Sequence, residues 1–288
     1  MTFPSIAILG PGLLGGSLAL AVRERVSGAQ IRVWARRQDR LEAVRCLGIA
    51  DEVSTDAAEI AAGASLIIFC MPIGAMEAVG LQIADAVGPG TIVTDVGSVK
   101  QPVVRTLGKI FGPRFIGSHP MAGSEQAGIE AARADLFQGA VTILTPEEGT
   151  PAESVRALAA FWEALGCRVA MMTPHAHDEA VALISHLPHL AAAALIQAAL
   201  RENPAALDLH GNGFFDTTRV ASGPPDMWAE ILVQNRDAVK KAVHAMIENL
   251  SEVSKLLDTQ ETGEIEEYLA EARRTRNRLR QPAQKTIS

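Results

Sequence analysis

Residues 6–17 read IAILGPGLLGGS, and they place the pattern G-x-G-x-x-G directly after an apolar, strand-like run. In this pattern Gly10 allows a tight turn, Gly12 lets the backbone approach a pyrophosphate, and Gly15 lets a helix pack closely on the strand. The helix that begins here offers free N–H groups and its positive dipole end to phosphates. The stretch therefore predicts a dinucleotide-binding strand, turn and helix.

The end of the next predicted strand bears on the choice of coenzyme. An acidic residue that grips the ribose 2′-OH of NAD is expected there, but the sequence runs Ala35, Arg36, Arg37. Guanidinium groups match a 2′-phosphate in charge and geometry, which favours NADP over NAD. In the alternative interpretation both arginines are ordinary surface residues and NAD binds through backbone contacts. The residues predicted to contact the cofactor are Gly10, Gly12, Leu13, Leu14, Gly15, Ala35, Arg36, Arg37, Cys70, Pro72, Asp95 and Ser98.

The first 173 residues alternate short apolar runs with helical patterns. Continuous apolar strands that alternate with helices indicate a mainly parallel sheet covered on both faces. We therefore predict an α/β fold with an N-terminal, Rossmann-type, doubly wound domain over residues 1–173. The predicted strands are 5–9, 31–35, 66–71, 91–96, 115–117, 141–145 and 168–172, and the predicted helices are 12–26, 41–47 and 154–165.

Residues 174–288 contain almost only helical patterns and are predicted to form an all-α substrate and dimerisation domain. Long helices are expected over 177–199 and 224–257. Within the second, apolar residues recur in steps of four and three, as in a coiled-coil seam. This seam either packs on the chain's own helices or forms a dimer contact, and both interpretations stay open. Its residues are Val239, Val243, Met246, Leu250, Val253 and Leu257.

Composition excludes several classes of protein. The chain has 288 residues, a formal charge of −7 and a pI of about 5.5, which does not suit binding to a nucleic acid backbone. Three widely spaced cysteines fit neither a disulfide framework nor a zinc site and agree with a reducing cytoplasm. The apolar stretch 6–22 lacks a preceding positive region and is short for a membrane span. We expect a cytoplasmic protein that does not bind a membrane.

Three later segments contain the remaining unusual chemistry. Residues 95–100 (DVGSVK) and 117–125 (GSHPMAGSE) are predicted to form loops beyond strand ends, where ligands of open α/β sheets bind. The third segment is helical, with SHLPH at 185–189 and DTTR at 216–219. Oxidation of an alcohol needs a proton acceptor, for which His119 is suitable, and Arg219 suits a substrate carboxylate. In the alternative interpretation these side chains only satisfy local hydrogen bonds.

The histidines of the helical half also raise the question of a metal. His175, His177 and Asp178 stand near His186 and His189 in sequence. We favour no metal, because a dinucleotide fold already supplies the redox chemistry.

These motifs together resemble the TyrA family, the prephenate and arogenate dehydrogenases. The SHPMAG and SHLPH segments carry most of the resemblance, and the matching stretches extend in family order to about residue 260. The stretches are 10–17 (GPGLLGGS), 94–100 (TDVGSVK), 117–125 (GSHPMAGSE), 184–189 (ISHLPH) and 213–221 (GFFDTTRVA).

The resemblance implies a reaction and roles for residues. Hydride passes from C4 of a cyclohexadiene to the nicotinamide and CO₂ leaves the ring, giving 4-hydroxyphenylpyruvate or tyrosine. His119 would form a hydrogen bond with the C4 hydroxyl, and Ser98 would position His119 and that hydroxyl. Arg219 would bind a carboxylate of the substrate. Trp228 is expected to pack near the site across a dimer interface, and family members dimerise through their helical domains. The substrate-binding residues implied are Arg219, His186, His189, Ser124, Glu125 and Trp228, with His186 slightly favoured over His189.

Two other functions remain alternatives at this point. One is a β-hydroxyacid dehydrogenase with the same two-domain plan, although such enzymes use a lysine where this chain has histidines. The other is a nucleotide-sensing protein that has lost catalysis, which the intact Ser98, His119 and Arg219 disfavour. The resemblance leaves the preference between prephenate and arogenate open. We expect neither a fused chorismate mutase nor a regulatory domain, so any inhibition by tyrosine would act at the active site.

Overall fold

A single eight-stranded sheet organises the N-terminal half of the chain. The computed structural model describes residues 3–124, 126–259 and 261–279. The strand order is β3-β2-β1-β4-β5-β6-β7-β8, and every neighbouring pair is parallel except β6 and β7. The predicted mainly parallel sheet is therefore confirmed. The strands are β1 (Ser5–Leu9), β2 (Gln30–Trp34), β3 (Glu52–Ser54), β4 (Leu66–Phe69), β5 (Ile92–Asp95), β6 (Phe115–Pro120), β7 (Val141–Thr145) and β8 (Arg168–Met171).

Helices cover the sheet and make up the rest of the described chain. The sequence prediction lacks β3 and the helices α3, α4 and α5. β3 and α3 are short and α4 is evenly apolar, whereas α5 has a clear apolar face, with Val103, Val104, Leu107 and Phe111 buried, that the prediction overlooked. The helices are α1 (Leu13–Arg25), α2 (Gln38–Leu47), α3 (Ala57–Ala61), α4 (Ile73–Ile83), α5 (Gln101–Phe111), α6 (Ala152–Ala164), α7 (Pro174–Val181), α8 (Leu187–Glu202), α9 (Asn212–Thr218), α10 (Pro225–Gln234), α11 (Arg236–Thr259) and α12 (Thr262–Arg278).

Strand β1 explains why the sheet is covered on both sides. Alternate side chains of a strand point to opposite faces, so an unbroken apolar run supplies two cores at once. Ile6 and Ile8 belong to the core beneath α1 and α6, whereas Ala7 and Leu9 belong to the core beneath α3, α4 and α5. Burial of both faces fixes β1 at the centre of the sheet, where its carboxyl end leads into the glycine-rich turn.

The chain reverses its winding direction between β1 and β4, which are neighbours in the sheet. Connections from this point leave in opposite directions and open a crevice at the carboxyl ends of the strands. Gly10 follows β1, Cys70 follows β4 and Asp95 ends β5, so all three lie at this edge. The fold therefore places the predicted cofactor segments together.

The prediction that His119 lies in a loop after a short strand is wrong. Strand β6 continues to Pro120, because it pairs antiparallel with β7, with His119 opposite Ile143 and Pro120 opposite Thr142. The pairing partner lies more than twenty residues along the chain, and local sequence does not reveal it. His119 is thereby held by a strand instead of a loop.

The predicted helix over 177–199 contains a π-helical turn, Ala182–His186, between α7 and α8. Pro188 follows at the second position of α8 and has no N–H to continue the regular hydrogen-bond ladder. Turns of this kind occur often at functional sites. Here the π-helical turn ends in His186, and both His186 and His189 are buried.

The helix predicted over 224–257 is two helices, α10 and α11, which meet at Asn235. Asn235 leaves the helical conformation and donates its side-chain N–H to the backbone oxygen of Asp178 at 2.8 Å. A tertiary hydrogen bond thus overrides a continuous apolar pattern.

Within the described residues, one helical stretch, Pro174–Glu202, is long and apolar enough to span a membrane by length and composition alone. Its mean hydropathy is 1.5, and 28% of its most apolar window is buried. Asp178 in this stretch accepts hydrogen bonds from the backbone N–H groups of Lys100 and Gln101 at the start of α5.

Candidate active site

The glycine-rich turn has the geometry that a dinucleotide needs. Gly10 has φ +108°, and a Cβ there would lie 2.7 Å from the oxygen of Cys70. A Cβ on Gly15 would lie 2.1 Å from the oxygen of Gly10, so the close packing of α1 on the turn requires glycine. At Gly12 a Cβ would meet nothing within 4 Å. The backbone at Gly12 is therefore open to a ligand, as the pyrophosphate would require.

The first turn of α1 is suited to an anion. Its N-cap, Gly12, has no side chain to accept the free N–H groups, and the turn contains no acidic residue. Leu13 and Leu14 begin the helix and present these N–H groups. The positive end of the helix dipole adds to the attraction for phosphate, so the residues present fit a dinucleotide.

At the end of β2 the predicted specificity residues differ in their surroundings. Ala35 is buried, whereas Arg36 is exposed. Arg37 forms an ion pair with Asp39, with Nε 2.9 Å from Oδ1 and a second contact through Nη2. The pairing holds the pKa of Asp39 at about 2. Sequence reasoning missed Asp39, which occupies the guanidinium fork that a 2′-phosphate would use.

Strand β4 and helix α4 contribute the next wall of the crevice. The backbone N–H of Cys70 donates to the oxygen of Leu9 at 2.8 Å, and Pro72 is the N-cap of α4. Burial raises the pKa of the Cys70 thiol, so the thiol stays neutral. Glu230 of α10 accepts a hydrogen bond from the backbone N–H of Gly74, which ties the helical half to this edge of the sheet.

A fully buried ion pair supports the loop that contains Ser98. Lys100 contacts the carboxylate of Asp95, and its Nζ also donates to the oxygen of Ser118 at 2.8 Å. Asp95 Oδ1 accepts from the N–H of Ser118 at 3.1 Å, and Oδ2 accepts from the N–H of Gly97 at 2.8 Å. The carboxylate of Asp95, which we predicted to bind cofactor, therefore points into the protein. Ser98 itself is half-buried.

His119 belongs to a chain of buried polar groups. Its Nδ1 lies 2.8 Å from Nε2 of His177, and Nδ1 of His177 lies 2.8 Å from Oδ1 of Asp178. The carboxylate also accepts the N–H of Lys100 at 2.7 Å and that of Gln101 at 2.9 Å. The chain thus joins β6 to α7 and to the start of α5.

The surroundings of the chain decide which groups are charged. Burial lowers the pKa of His119 well below its usual value, and His177, Lys100 and His186 lower it further. Burial also lowers the pKa of His177, although Asp178 opposes that shift. Burial by itself would raise the pKa of Asp178, but the bonds from His177 and the two backbone N–H groups hold it below its usual value. Both imidazoles are therefore neutral at neutral pH, and Asp178 is ionised.

Sequence reasoning missed His177, Asp178 and Lys100 as members of this site. His177 and Asp178 were considered as metal ligands, Asp178 also as a partner for the amino group of arogenate, and Lys100 only as the end of a motif. Among the described residues, the structure contains no group of three or more histidine, cysteine or acidic side chains that could hold a metal ion.

A second pair of histidines lies against Trp228. The ring of His189 stacks on the indole with centroids 3.6 Å apart, and the ring of His186 meets it edge-on at 6.2 Å. These ring contacts join α8 and α10 within one chain, and the packing of Trp228 across a dimer interface stays a prediction. Nε2 of His186 and Nδ1 of His189 are buried and have no hydrogen-bond partner among the described residues. Burial lowers the pKa of His186 to about 4.

The remaining predicted substrate-binding residues that the structure describes, Arg219 and Ser124, are exposed. Arg219 begins the turn Arg219–Ser222 and is exposed in the single chain. The next residue, Val220, accepts a hydrogen bond from His189 through its backbone, so the turn adjoins the Trp228 cluster. Ser124 is exposed in the segment after β6, with its hydroxyl 3.1 Å from the N–H of Gln126. Glu125 lies outside the described residues.

Comparison with known proteins agrees with this architecture. The model of the prephenate dehydrogenase nucleotide-binding domain matches residues 18–171, and the model of the prephenate dehydrogenase dimerization domain matches residues 173–271. A cyclohexadienyl dehydrogenase from Zymomonas mobilis is 31% identical over 283 residues, which cover 96% of this chain and 97% of that protein.

Solved structures are similar over almost the whole chain. Prephenate dehydrogenase from A. aeolicus, in complex with hydroxyphenyl propionate and NAD+, has a TM-score of 0.91 at 30% identity, covering 97% of this chain and 99% of that one. Synechocystis arogenate dehydrogenase has a TM-score of 0.84 at 33% identity, covering 95% and 99%. The chain therefore belongs to the prephenate dehydrogenase family.

Proposed function

We propose that the chain catalyses the NAD(P)-dependent oxidative decarboxylation of prephenate, arogenate or both, in tyrosine biosynthesis. The observation that carries this proposal is the position of His119, a neutral base at the carboxyl edge of the sheet that also holds the glycine-rich turn. The cyclohexadienyl, prephenate and arogenate dehydrogenases among its relatives support the same reaction. The β-hydroxyacid dehydrogenase alternative is not favoured.

The residues divide the work of the reaction. The bound nicotinamide supplies the acceptor for the hydride that leaves C4. We assign His119 to accept the proton of the C4 hydroxyl and to return it to the phenolate oxygen once CO₂ has left the ring. Ser98 orients the hydroxyl. Since aromatisation makes the step strongly downhill, the enzyme mainly has to position the substrate and to handle the hydroxyl proton.

We assign recognition of the substrate to the helical half. Arg219 binds a carboxylate through its guanidinium fork, and His186 and His189 offer buried ring nitrogens that have no hydrogen-bond partner among the described residues. Trp228 presents its indole beside both histidines. Ser124 and Glu125 are further proposed substrate-binding residues.

A direct assay tests the proposal. Prephenate and arogenate are each mixed with NAD or NADP, and the absorbance of the reduced nicotinamide is followed. Turnover with at least one of the four combinations is expected. No turnover in any combination would overturn the proposed function.

We further propose that NADP is the preferred coenzyme and that Arg36 is the residue that binds its 2′-phosphate. Arg36 is exposed just after β2, where the acidic residue typical of NAD-binding sites is missing. Arg37 instead forms an ion pair with Asp39. The family comparison supports NAD(P) as a class, and the preference rests on these two arginines.

Replacing Arg36 with Ala should lower kcat/KM for NADP about 10-fold or more and change that for NAD little, because hydrogen bonds between charged groups contribute about 1.5–3 kcal/mol. Asp39→Asn should act in the opposite direction, since it releases Arg37. Steady-state kinetics with both coenzymes give the ratio. Arg45→Ala, an exposed arginine at the far end of α2, is the matched control. Equal losses with the two coenzymes would contradict the assignment.

We also propose that the chain forms a homodimer through its helical half. The first turns of α11 pack within the chain, with Val239 and Ala242 buried. Further along the same seam Leu250 is 57% exposed and Leu257 is 61% exposed. A second copy would cover this part of the seam, so both interpretations left open by the sequence apply, each to one part of α11.

The three cysteines are unpaired, which supports a reducing cytoplasm as the location of the protein.

The double variant Leu250→Glu/Leu257→Glu should convert the dimer to a monomer, because charges would replace apolar side chains in the contact. Light scattering coupled to size-exclusion chromatography measures the mass. Leu47→Glu, an equally exposed leucine on α2, should leave the dimer intact. A wild-type mass for the double variant would count against this interface.

A further inference from the structure

We propose that His177 and Asp178 are positioning residues that fix the tautomer of His119, so that its Nε2 carries the lone pair that accepts the substrate proton. The inference rests on the proposed function and adds two residues to it. The motivation is the unbroken chain of two 2.8 Å contacts from His119 through His177 to Asp178.

The argument begins at the carboxylate, whose protonation state is set by its partners. Asp178 accepts two backbone N–H groups at the start of α5, one on each oxygen. The positive end of the α5 dipole lies at the same place and favours a negative charge. Asp178 is therefore ionised and can only accept hydrogen bonds.

The direction of every bond then follows. Because Asp178 accepts, Nδ1 of His177 must donate, and the neutral ring then has its lone pair on Nε2. That lone pair accepts a hydrogen bond from Nδ1 of His119, which leaves the lone pair of His119 on Nε2. The opposite direction would require a proton on Asp178 while it also accepts two N–H groups. One arrangement is therefore strongly favoured.

The charges around the two rings agree with this division of roles. His119 is faced by His177, Lys100 and His186, none of which provides a negative charge to hold a proton. His177 is faced by Asp178, Lys100 and Asp95. Asp178 thus lies one ring away from the base, where it orients the chain and steadies the transient imidazolium. His119 accepts a proton only briefly and returns it to the product.

Two substitutions at the middle ring separate orientation from simple packing. His177→Leu keeps much of the volume but removes the acceptor for Nδ1 of His119. We expect kcat to fall about 10²-fold, with little change in KM. His177→Gln offers an amide oxygen to the same N–H and should restore at least about 10-fold of that loss. His175→Leu, on the same helix and largely exposed, is the matched control and should have wild-type kinetics.

Nuclear magnetic resonance reads the tautomer directly in the wild-type protein with bound NADP or NAD. In ¹⁵N-histidine-labelled protein, the His119 ring is assigned by its loss in a His119→Asn sample, and Nδ1 should carry the proton. In His177→Leu the Nε2–H form should become populated. A purely structural role for His177 would leave the ring tautomer of His119 unchanged.

Four results would overturn the inference: wild-type kcat in His177→Leu, an unchanged His119 tautomer in that variant, no recovery in His177→Gln, or an Nε2–H tautomer of His119 in the wild type. Each is distinct from failure of the proposed function, which would appear as no turnover by the wild-type enzyme. The wild-type tautomer measurement needs neither substrate nor a variant at His177, so an Nε2–H form there overturns the inference even if His177→Leu folds poorly.

Discussion

Replacing His119 with Asn should lower kcat about 10²- to 10⁴-fold while changing the KM for the substrate much less. His119 is held on β6 and bonded through Nδ1 to His177, which leaves Nε2 to take the hydroxyl proton. Asn keeps a polar group of similar reach but cannot accept a proton. Steady-state kinetics with the preferred substrate and coenzyme measure the effect.

Arg219→Ala provides the contrast to this variant. A guanidinium that binds a substrate carboxylate should affect mainly KM, because it holds the substrate about equally in the ground and transition states. Wild-type kcat in His119→Asn would refute the role of His119 as the base. A similar loss of kcat in both variants would show that the assay reports general damage to the site.

The pH profile of kcat/KM checks the same residue, because kcat/KM reports the ionisable groups of the free enzyme. Burial lowers the pKa of His119 well below 6.5, with His177, Lys100 and His186 as further causes. A base with a lowered pKa remains unprotonated as the pH falls, so kcat/KM should stay level through pH 6.5. Activity should be lost only as the pH drops through the lowered pKa. A decline centred at the ordinary value of a histidine would contradict this placement of the base.

The parts of the fold that follow local rules were predictable from the sequence. The glycine-rich turn is one, since Gly10 and Gly15 meet each other through backbone atoms only a few residues apart. The buried strands are another, because apolar runs such as β1 and β4 are set by burial of both faces. The end of β6 was not predictable, because its length depends on pairing with β7.

The site was predictable only in part, for a related reason. The motif around His119 pointed to the residue that we propose as the base, but its partner His177 lies 58 residues further along the chain. No local pattern tells which buried histidine will face another. Nor does a local pattern reveal that Asp178 accepts the backbone N–H groups at the start of α5, more than seventy residues earlier in the chain. Arg36 and Arg37 could be identified from the sequence, whereas the ion pair between Arg37 and Asp39 is evident only in the structure.

The ion pair beneath the site can be tested through stability. Lys100 and Asp95 are both fully buried, and the lysine also holds the oxygen of Ser118. Lys100→Met would leave the carboxylate with two backbone N–H groups and no positive charge. Removing one partner of a buried pair costs about 3–5 kcal/mol, so we expect a loss of that size in the free energy of unfolding.

Asp95→Asn should cost less than Lys100→Met. Burial already lowers the pKa of Lys100, so a lysine left beside a neutral amide can lose its proton, whereas Lys100→Met leaves the buried carboxylate of Asp95 with two backbone N–H groups and no cation. The double variant Asp95→Asn/Lys100→Met should recover part of the lost free energy of unfolding, because no unpaired charge remains. Urea unfolding of the four proteins measures the differences. Lys109→Met, an exposed lysine on the same helix α5, should stay within about 0.5 kcal/mol of wild type. If Lys100→Met were no less stable than this control, the pair would not support the catalytic strand.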